Sequence, residues 1–166
     1  MPVVSNTSPI LNLAIVDRLT LLQQQFGKIL IPSVVLEELK VSEERPGSQV
    51  IREAISAGWI QICEVSNQPL TQLLKQTLDK GESEAICLQQ RFAIALAVEL
   101  KADWTLLDER EGRKVAKSLG LKVTGILGIL LCAKQAGELE SLQPVIDNLI
   151  SSRRISDCAR IVGTNS

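Results

Sequence analysis

The sequence predicts an α/β protein with a mostly parallel sheet of about five strands, because short apolar segments alternate with segments of helical periodicity. The segments that read as strands are the short apolar runs 3–5, 28–31, 59–65, 104–107 and 121–124. Between them apolar residues recur at helical spacing, as at Leu19, Leu22 and Phe26. With 166 residues the chain suits one domain that buries a real core.

In the first half, Pro9 favours a first helix after strand 3–5, since the first turn needs no N–H there. A second helix is predicted over 17–25. Ser33 follows the second strand and Pro32, and it is the expected N-cap of a helix that runs to residue 40. The polar stretch 41–48 contains Pro46 and Gly47 and predicts a loop.

After the loop at 41–48, glycine marks three of the expected helix ends. Helices are predicted at 49–57, after Pro69, and at 82–101, 109–119, 125–136 and 141–151. They stop before Gly58, Gly120 and Gly137 in three cases. The sequence from Asp79 to Glu82 has the spacing of a capping box for the long helix. The polar residues 156–166 are expected to form a tail outside a domain of residues 1–155.

Composition excludes several chemistries. The chain has no histidine, so a Ser-His-Asp triad, a Cys-His pair and a two-histidine ribonuclease are impossible. The phosphate-binding glycine motifs are absent, which argues against a nucleotide cofactor. The four cysteines are widely separated and predict reduced thiols rather than a zinc site. With no membrane span and no signal peptide visible, we expect a cytoplasmic protein.

Four stretches place an acidic or amide side chain where an apolar run ends. The residues are Asn6, Glu38, Glu84 (or Glu82) and Asp108. At the edge of a parallel sheet such side chains would converge and suit a hard divalent cation. Each also has a structural explanation. On that explanation Asn6, Thr7 and Ser8 would form a turn, and Glu38 would be a solvated glutamate. The glutamates at 82 and 84 would favour a helix N-terminus, and Asp108 would be an N-cap.

A basic stripe follows Asp108 on the next predicted helix. Arg110, Arg113, Lys114 and Lys117 share one face, while Val115, Ala116 and Leu119 supply the opposite face. Such a stripe is usually a solvated surface. Beside a metal ligand it would also suit a phosphodiester backbone. Since the net charge is only −1, any affinity for nucleic acid must come from a local patch of this kind.

Five segments resemble the PIN-domain family, most closely its short stand-alone bacterial branch of toxin-type (VapC-like) ribonucleases. They occur in the family's order across about residues 2–155, and they are V-V-S-N-T-S-P-I (3–10), I-P-S-V-V-L-E-E-L (31–39), G-E-S-E-A-I (81–86), L-L-D-E-R-E-G-R (106–113) and V-T-G-I-L-G-I-L-L-C-A-K-Q-A-G (123–137). The order makes the resemblance more specific than any single motif.

The resemblance implies a Rossmann-like three-layer α/β/α sandwich and a ribonuclease that uses Mg²⁺ or Mn²⁺ to cut single-stranded RNA. The implied metal-site residues are Asn6, Glu38, Glu84 or Glu82, and Asp108, of which Glu38, Glu84 and Asp108 are catalytic. Support and RNA contacts are assigned to Thr7, Ser8, Glu109, Arg110, Arg113, Lys114 and Lys117. The implied partners are single-stranded RNA, a cognate antitoxin protein and a second copy of the chain. The long apolar helix would offer a surface for that second copy. No membrane is expected as a partner.

Two departures keep another function open. Asn6 stands where the family has its first aspartate, and segment 87–94 is additional to the usual spacing. A catalytically degenerate PIN-like domain that binds protein or RNA is therefore the alternative to the enzyme. A haloacid-dehalogenase-like phosphohydrolase is disfavoured, because S-N-T-S lacks the aspartates that it needs after the first strand.

Overall fold

A computed structural model describes residues 2–78 and 84–151, and their centre is a five-stranded sheet. The strands are β1 (Val3–Ser5), β2 (Ile29–Pro32), β3 (Ile60–Cys63), β4 (Trp104–Leu106) and β5 (Val123–Thr124). They lie in the order β3-β2-β1-β4-β5, and every neighbouring pair is parallel. The parallel sheet predicted from the sequence is confirmed.

Helices connect the strands. They are α1 (Thr7–Ile15), α2 (Thr20–Phe26), α3 (Ser33–Leu39), α4 (Ser48–Ala57), α5 (Gln68–Leu78), α6 (Glu84–Leu100), α7 (Arg110–Ser118), α8 (Ile126–Gln135) and a last helical stretch over 143–151, named α9 here. None of these described helices is long and apolar enough to cross a membrane. The predicted capping box at 79–82 and the predicted tail at 156–166 lie outside the described residues.

Two expectations near the helix starts are wrong. The second helix begins at Thr20 rather than at 17, because Asp17 has a φ of 58° and left-handed backbone cannot continue a helix. Ser33 is not an N-cap. Pro32 holds that position in extended backbone, Ser33 is the first helical residue, and its hydroxyl donates to Glu64 Oε2 at 3.2 Å.

Two helical layers cover the sheet, because successive strand residues face opposite sides. Val3 packs into a cluster with residues of α1 to α4, α8 and α9. Its neighbour Val4 packs instead against Ala93, Leu96 and Ala97 of α6. Further residues of α5, α6 and α7 cover the same side. The three-layer α/β/α sandwich is therefore confirmed.

The long helix α6 is part of the core. Residues 93–97 are all buried, and of its described side chains only Glu84 and Glu99 are exposed. The surface expected for a second copy of the chain is therefore covered by this chain's own strands and helices along the described part of α6. A homodimer remains a prediction and would need another face.

The order of the strands creates a crevice between β1 and β4. From β1 the chain fills one half of the sheet through β2 and β3, then returns to β4 on the other side of β1. Ligands of doubly wound sheets bind where the order reverses, outside the carboxyl ends of the strands. The backbone N–H of Asn6 donates to Leu106 O at 3.0 Å, which places Asn6 at this crevice.

The packing predicts different effects for two neighbouring leucines of α8. Leu130 is fully buried in the larger cluster, whereas Leu131 is 49% exposed. Leu130→Ala should lower the free energy of unfolding by about 2–5 kcal/mol, because the cavity is only partly refilled. Leu131→Ala should lower it by about 0.5 kcal/mol or less. Urea denaturation measures both, and equal losses would contradict the packing described here.

Candidate active site at the carboxyl edge of the sheet

Asn6 carries two buried polar atoms that have no partner. The residue follows β1 directly, only 1% of it is exposed, and neither Oδ1 nor Nδ2 has a hydrogen bond within the described structure. Asn6 occupies the N-cap position of α1, yet its side chain makes no capping bond. Leaving such an amide unpaired costs roughly 1–3 kcal/mol per group. The side chain is thus arranged for something other than the helix end, and the turn explanation accounts for its backbone alone.

Two threonines extend the set of unpaired polar atoms. Thr7 Oγ1 and Thr105 Oγ1 are both buried, and neither has a partner among the described residues. Thr7 is the first residue of α1, and Thr105 lies in the middle of β4 opposite Val4. Thr105 was not singled out from the sequence, because a threonine within a strand is ordinary. The region around β1 and β4 is therefore unusually polar for a sheet centre.

Asp108 lies two residues beyond β4 and holds the start of a helix. Its Oδ1 accepts a hydrogen bond from the backbone N–H of Ile126 at 2.9 Å. The helix concerned is α8, whereas the sequence suggested a cap on α7; the N-cap of α7 is Glu109. A helix N-terminus attracts negative charge, so this contact orients the Asp108 carboxylate.

Gly125 leaves room for the Asp108 carboxylate and for Arg113. A Cβ at residue 125 would lie 2.5 Å from Asp108 Oδ1, 3.2 Å from Leu107 O and 3.3 Å from Arg113 Nη1. The carboxylate and the guanidinium thus converge on the space that a side chain would fill. Gly125 was read in the sequence only as the start of a helix. The signal for its further role was its position directly after the fifth strand of a parallel sheet.

Ser8 and Glu109 are joined by a hydrogen bond across the crevice. Ser8 Oγ donates to Glu109 Oε1 at 3.0 Å, although the two residues are 101 positions apart. Ser8 lies in the first turn of α1, and Glu109 lies between β4 and α7. The bond ties the segments that follow β1 and β4, and with them the segments that carry Asn6 and Asp108. The two segments together carry five of the predicted site residues, namely Asn6, Thr7, Ser8, Asp108 and Glu109.

The basic stripe borders the same crevice. A cavity of ≈ 370 Å³ is lined by Asp108 together with Arg110, Arg113, Lys114 and Lys117. Arg110, Lys114 and Lys117 are exposed and Arg113 is partly buried. None of the four cations takes part in a salt bridge of the described chain. The predicted stripe therefore exists, and its charge faces the cavity beside Asp108.

The other predicted acids do not reach this cavity. Glu38 is exposed on α3, as its structural explanation as a solvated glutamate predicted. Glu84 is also exposed and lines a separate cavity of ≈ 230 Å³ with Lys75, Cys87 and Arg91. Glu84 therefore lies apart from Asp108. Glu82, the alternative to Glu84, lies outside the described residues.

The oxygen donors suit a hard cation in kind, although they are few. Asn6 offers an unpaired buried amide oxygen, the Asp108 carboxylate takes up the space that a side chain at Gly125 would need, and carboxylates and amides are ligands that Mg²⁺ accepts. Among the described residues, however, no three Asp, Glu, Cys or His side chains are grouped so that they could hold a metal ion. The predicted four-ligand set is thus not assembled there.

The sheet order, the buried polar residues at β1 and the acid after β4 define a doubly wound α/β domain with a polar crevice at the carboxyl edge of its sheet. A family profile described as PIN domain matches residues 2–159. The chain therefore belongs to the PIN-domain family. No curated protein matches it. Membership supports nuclease-type activity in general, with RNA as the suggested substrate. PIN domains are generally dependent on divalent metal. The VapC-like branch stays a prediction.

Gly125→Ala tests the space around Asp108. The φ of −127° suits alanine, so any effect comes from the close contacts and not from the backbone conformation. We expect a loss of about 1–3 kcal/mol in the free energy of unfolding, since the new Cβ would lie only 2.5 Å from Asp108 Oδ1 and would displace the carboxylate. A double-mutant cycle with Asp108→Ala should show a smaller loss in that background. Additive losses would mean that the carboxylate does not occupy the space.

Proposed function

We propose that this protein is a divalent-metal-dependent endoribonuclease that cuts single-stranded RNA at the carboxyl edge of β1 and β4. The observation that carries the proposal is Asn6, whose two carboxamide atoms are buried and unpaired beside the segment that holds Asp108. Unpaired buried polar groups are rare in folded proteins and call for a specific explanation. A bound cation with its water and an RNA phosphate would supply the missing partners.

The basic stripe supports a polyanionic substrate. Its four cations face one cavity together with Asp108, and the net charge of the chain is −1. An attraction to RNA must therefore be local, and it is strongest beside the proposed site. Phosphates held along α7 would place a neighbouring phosphodiester at Asp108. Sequence-specific binding of RNA mostly uses single strands, whose backbone can follow such a cavity.

In the proposed mechanism, the residues of the chain hold the reacting groups and stabilise charge. Asn6 and Asp108 would hold Mg²⁺ or Mn²⁺, and the ion would supply a nucleophilic water and stabilise charge on the phosphate. The Ile126 N–H orients the Asp108 carboxylate, and the Ser8–Glu109 bond fixes the two segments around it. Arg113 lies where it can neutralise charge on the phosphate oxygens. Glu38 and Glu84, with Glu82 as the alternative, are proposed to complete the set once metal and RNA are present.

We further propose that the nuclease is the toxin of a toxin–antitoxin pair in the cytoplasm. The five motifs and their order support this role, because they resemble the toxin-type branch over about residues 2–155. The proposed partners are a cognate antitoxin protein and a second copy of the chain. The exposed position of Glu38 and Glu84 leaves both acids accessible to a partner as well as to RNA.

The second candidate function is an RNA- or protein-binding module without catalysis. Two observations favour it. An amide replaces the first aspartate of the family at residue 6, and no described group of three acidic or thiol side chains is arranged to hold a metal. In that case the basic stripe would still bind RNA. The two functions therefore differ in metal-dependent cleavage and not in RNA binding.

Cleavage of a mixed-sequence single-stranded RNA separates the two functions. The purified protein is tested with Mn²⁺ and with EDTA, beside Asp108→Asn, which keeps an acceptor for the Ile126 N–H. We expect cutting that needs Mn²⁺ and falls by at least about 100-fold in the variant, typical for loss of charge stabilisation at a reacting centre. No cutting by folded wild-type protein would exclude the nuclease and favour the binding module.

Asn6→Asp should strengthen metal binding. A carboxylate is a better ligand for Mn²⁺ than an amide, and at a position with only 1% exposure its charge needs a counter-ion. We expect at least about tenfold tighter Mn²⁺ binding by calorimetry, together with faster cleavage. Asn67→Asp adds the same charge at the start of α5, where Asn67 Oδ1 accepts from Leu70 N at 3.2 Å, and serves as control. Equal Mn²⁺ affinities of the Asn6→Asp and Asn67→Asp variants would show that Asn6 does not hold the metal.

Charge reversal on the stripe should weaken RNA binding. Lys114→Glu with Lys117→Glu removes two exposed cations from the cavity while Arg113 stays in place. Binding should weaken by at least about tenfold, and the log–log salt slope should fall by roughly 0.7 for each lost phosphate contact. Lys101→Glu with Lys134→Glu changes the net charge equally at exposed positions outside the cavity and is the control. Similar behaviour of both pairs would make the stripe a merely solvated face.

A further inference from the structure

A second cavity adjoins the basic one and is mostly apolar. Its volume is ≈ 290 Å³, and its lining combines five apolar side chains with two charged ones: Ile126, Leu127, Ile146, Leu149, Ile150, Asp108 and Arg113. The apolar residues come from α8 and α9, and the two charged residues are those that also line the basic cavity. The two cavities therefore share a wall at Asp108 and Arg113.

The apolar cavity has a fixed floor and an open rim. Ile126 and Leu149 belong to the larger core cluster, so the packing of the domain holds the inner wall in place. Leu127 is 64% exposed and Ile150 46% exposed, which leaves two large apolar side chains at the rim. Concave apolar surfaces with a few charged groups at one end are typical of ligand sites. This one opens beside the residues that would hold the scissile phosphate.

We propose that the apolar cavity binds one unpaired nucleobase of the RNA, next to the phosphate held at Arg113. This inference rests on the proposed ribonuclease function. A nucleotide joins an anionic phosphate to a base with apolar faces. Its phosphate therefore matches the basic cavity, and its base matches the apolar cavity on the other side of the shared wall. The cavity volume of ≈ 290 Å³ lies just below the range of about 300–1,000 Å³ that is usual for ligand pockets. It therefore suits one base rather than an extended ligand.

A base in this cavity would explain the need for a single strand. The base must leave its stack and pairing partner to enter between α8 and α9, and unpaired RNA loses little on doing so. Aliphatic walls give contact to every base through its faces, so the cavity favours an accessible base over a particular sequence. The subsite would therefore select the structure of the RNA before its sequence.

A segment of another protein is the competing occupant of the apolar cavity, and Leu131 distinguishes it from a nucleobase. Leu131 lies one turn beyond Leu127 on α8 and is also exposed, yet it does not line the cavity. A docked helix or strand would extend over several turns and cover both leucines. A single base would contact the rim at Leu127 and Ile150 alone. The continuity with the basic cavity favours the base.

The test compares a short single-stranded RNA with the same RNA made abasic at its internal positions. Binding is followed by fluorescence anisotropy in EDTA, so that no cleavage occurs. The wild-type protein should bind the intact RNA about tenfold more tightly than the abasic one. Leu127→Ser with Ile150→Ser should reduce this ratio to about twofold or less, while Leu131→Ser should leave it unchanged. Circular dichroism confirms that each variant is folded.

Three other outcomes would overturn the nucleobase subsite, and one of them would also overturn the proposed function. A wild-type ratio near one, with both RNAs bound, overturns the nucleobase subsite and leaves the proposed function standing. A reduction of the ratio by Leu131→Ser equal to that of the double variant also overturns it, since the apolar stripe and not the cavity would then be responsible. Failure of the wild-type protein to bind either RNA at low salt overturns the proposed function and the subsite with it.

Discussion

The pairing of β1 with β4 is the constraint on which the rest of the site depends. Three register pairs, from Val3 with Trp104 to Ser5 with Leu106, join strands that are about 100 residues apart in the chain. They fix the point at which the strand order reverses, and they bring the segment after β1 next to the segment after β4. The Asn6 N–H bond to Leu106 O and the Ser8–Glu109 bond continue that pairing beyond the sheet. Without it, the segment that carries Asn6 and the segment that carries Asp108 would have no reason to lie side by side.

Periodicity predicted the sheet and its helices well, because burial on both faces leaves short apolar runs between amphipathic segments. The strand at β1 was predicted to the residue, and most helix ends fell within two residues. Errors came from local backbone geometry. Asp17 adopts a left-handed conformation that composition does not encode, and Ser33 was displaced from its capping role because Pro32 already provides the extended residue before the helix. The assignment of Asp108 to α7 failed for a related reason, since a capping side chain can reach a helix distant in sequence.

The site was predictable as far as each residue follows a strand end. Asn6, Asp108, Ser8 and Glu109 lie at the carboxyl edge because the parallel topology places them there. Glu38 and Glu84 lie on helices, where a shift by one residue turns a side chain from the crevice towards solvent. The periodicity of apolar residues does not locate a helix face that finely. The space at Gly125 and the apolar cavity between α8 and α9 depend on how separate elements pack. Such features arise only in the folded chain, which is why the sequence indicated the chemistry of the site but not its neighbouring cavity.

The location of bound metal tests the account most directly. Mn²⁺ broadens the NMR signals of nearby backbone amides, so a titration of isotope-labelled protein maps the ion without relying on activity. A cation held at the β1–β4 crevice should selectively broaden the residues around it, namely Asn6, Thr7, Asp108, Glu109 and Gly125, with little effect at control residues such as Glu53 on α4. Selective broadening centred on Glu53, or at any site away from the crevice, would contradict it. So would the absence of selective broadening at Mn²⁺ concentrations that support cleavage.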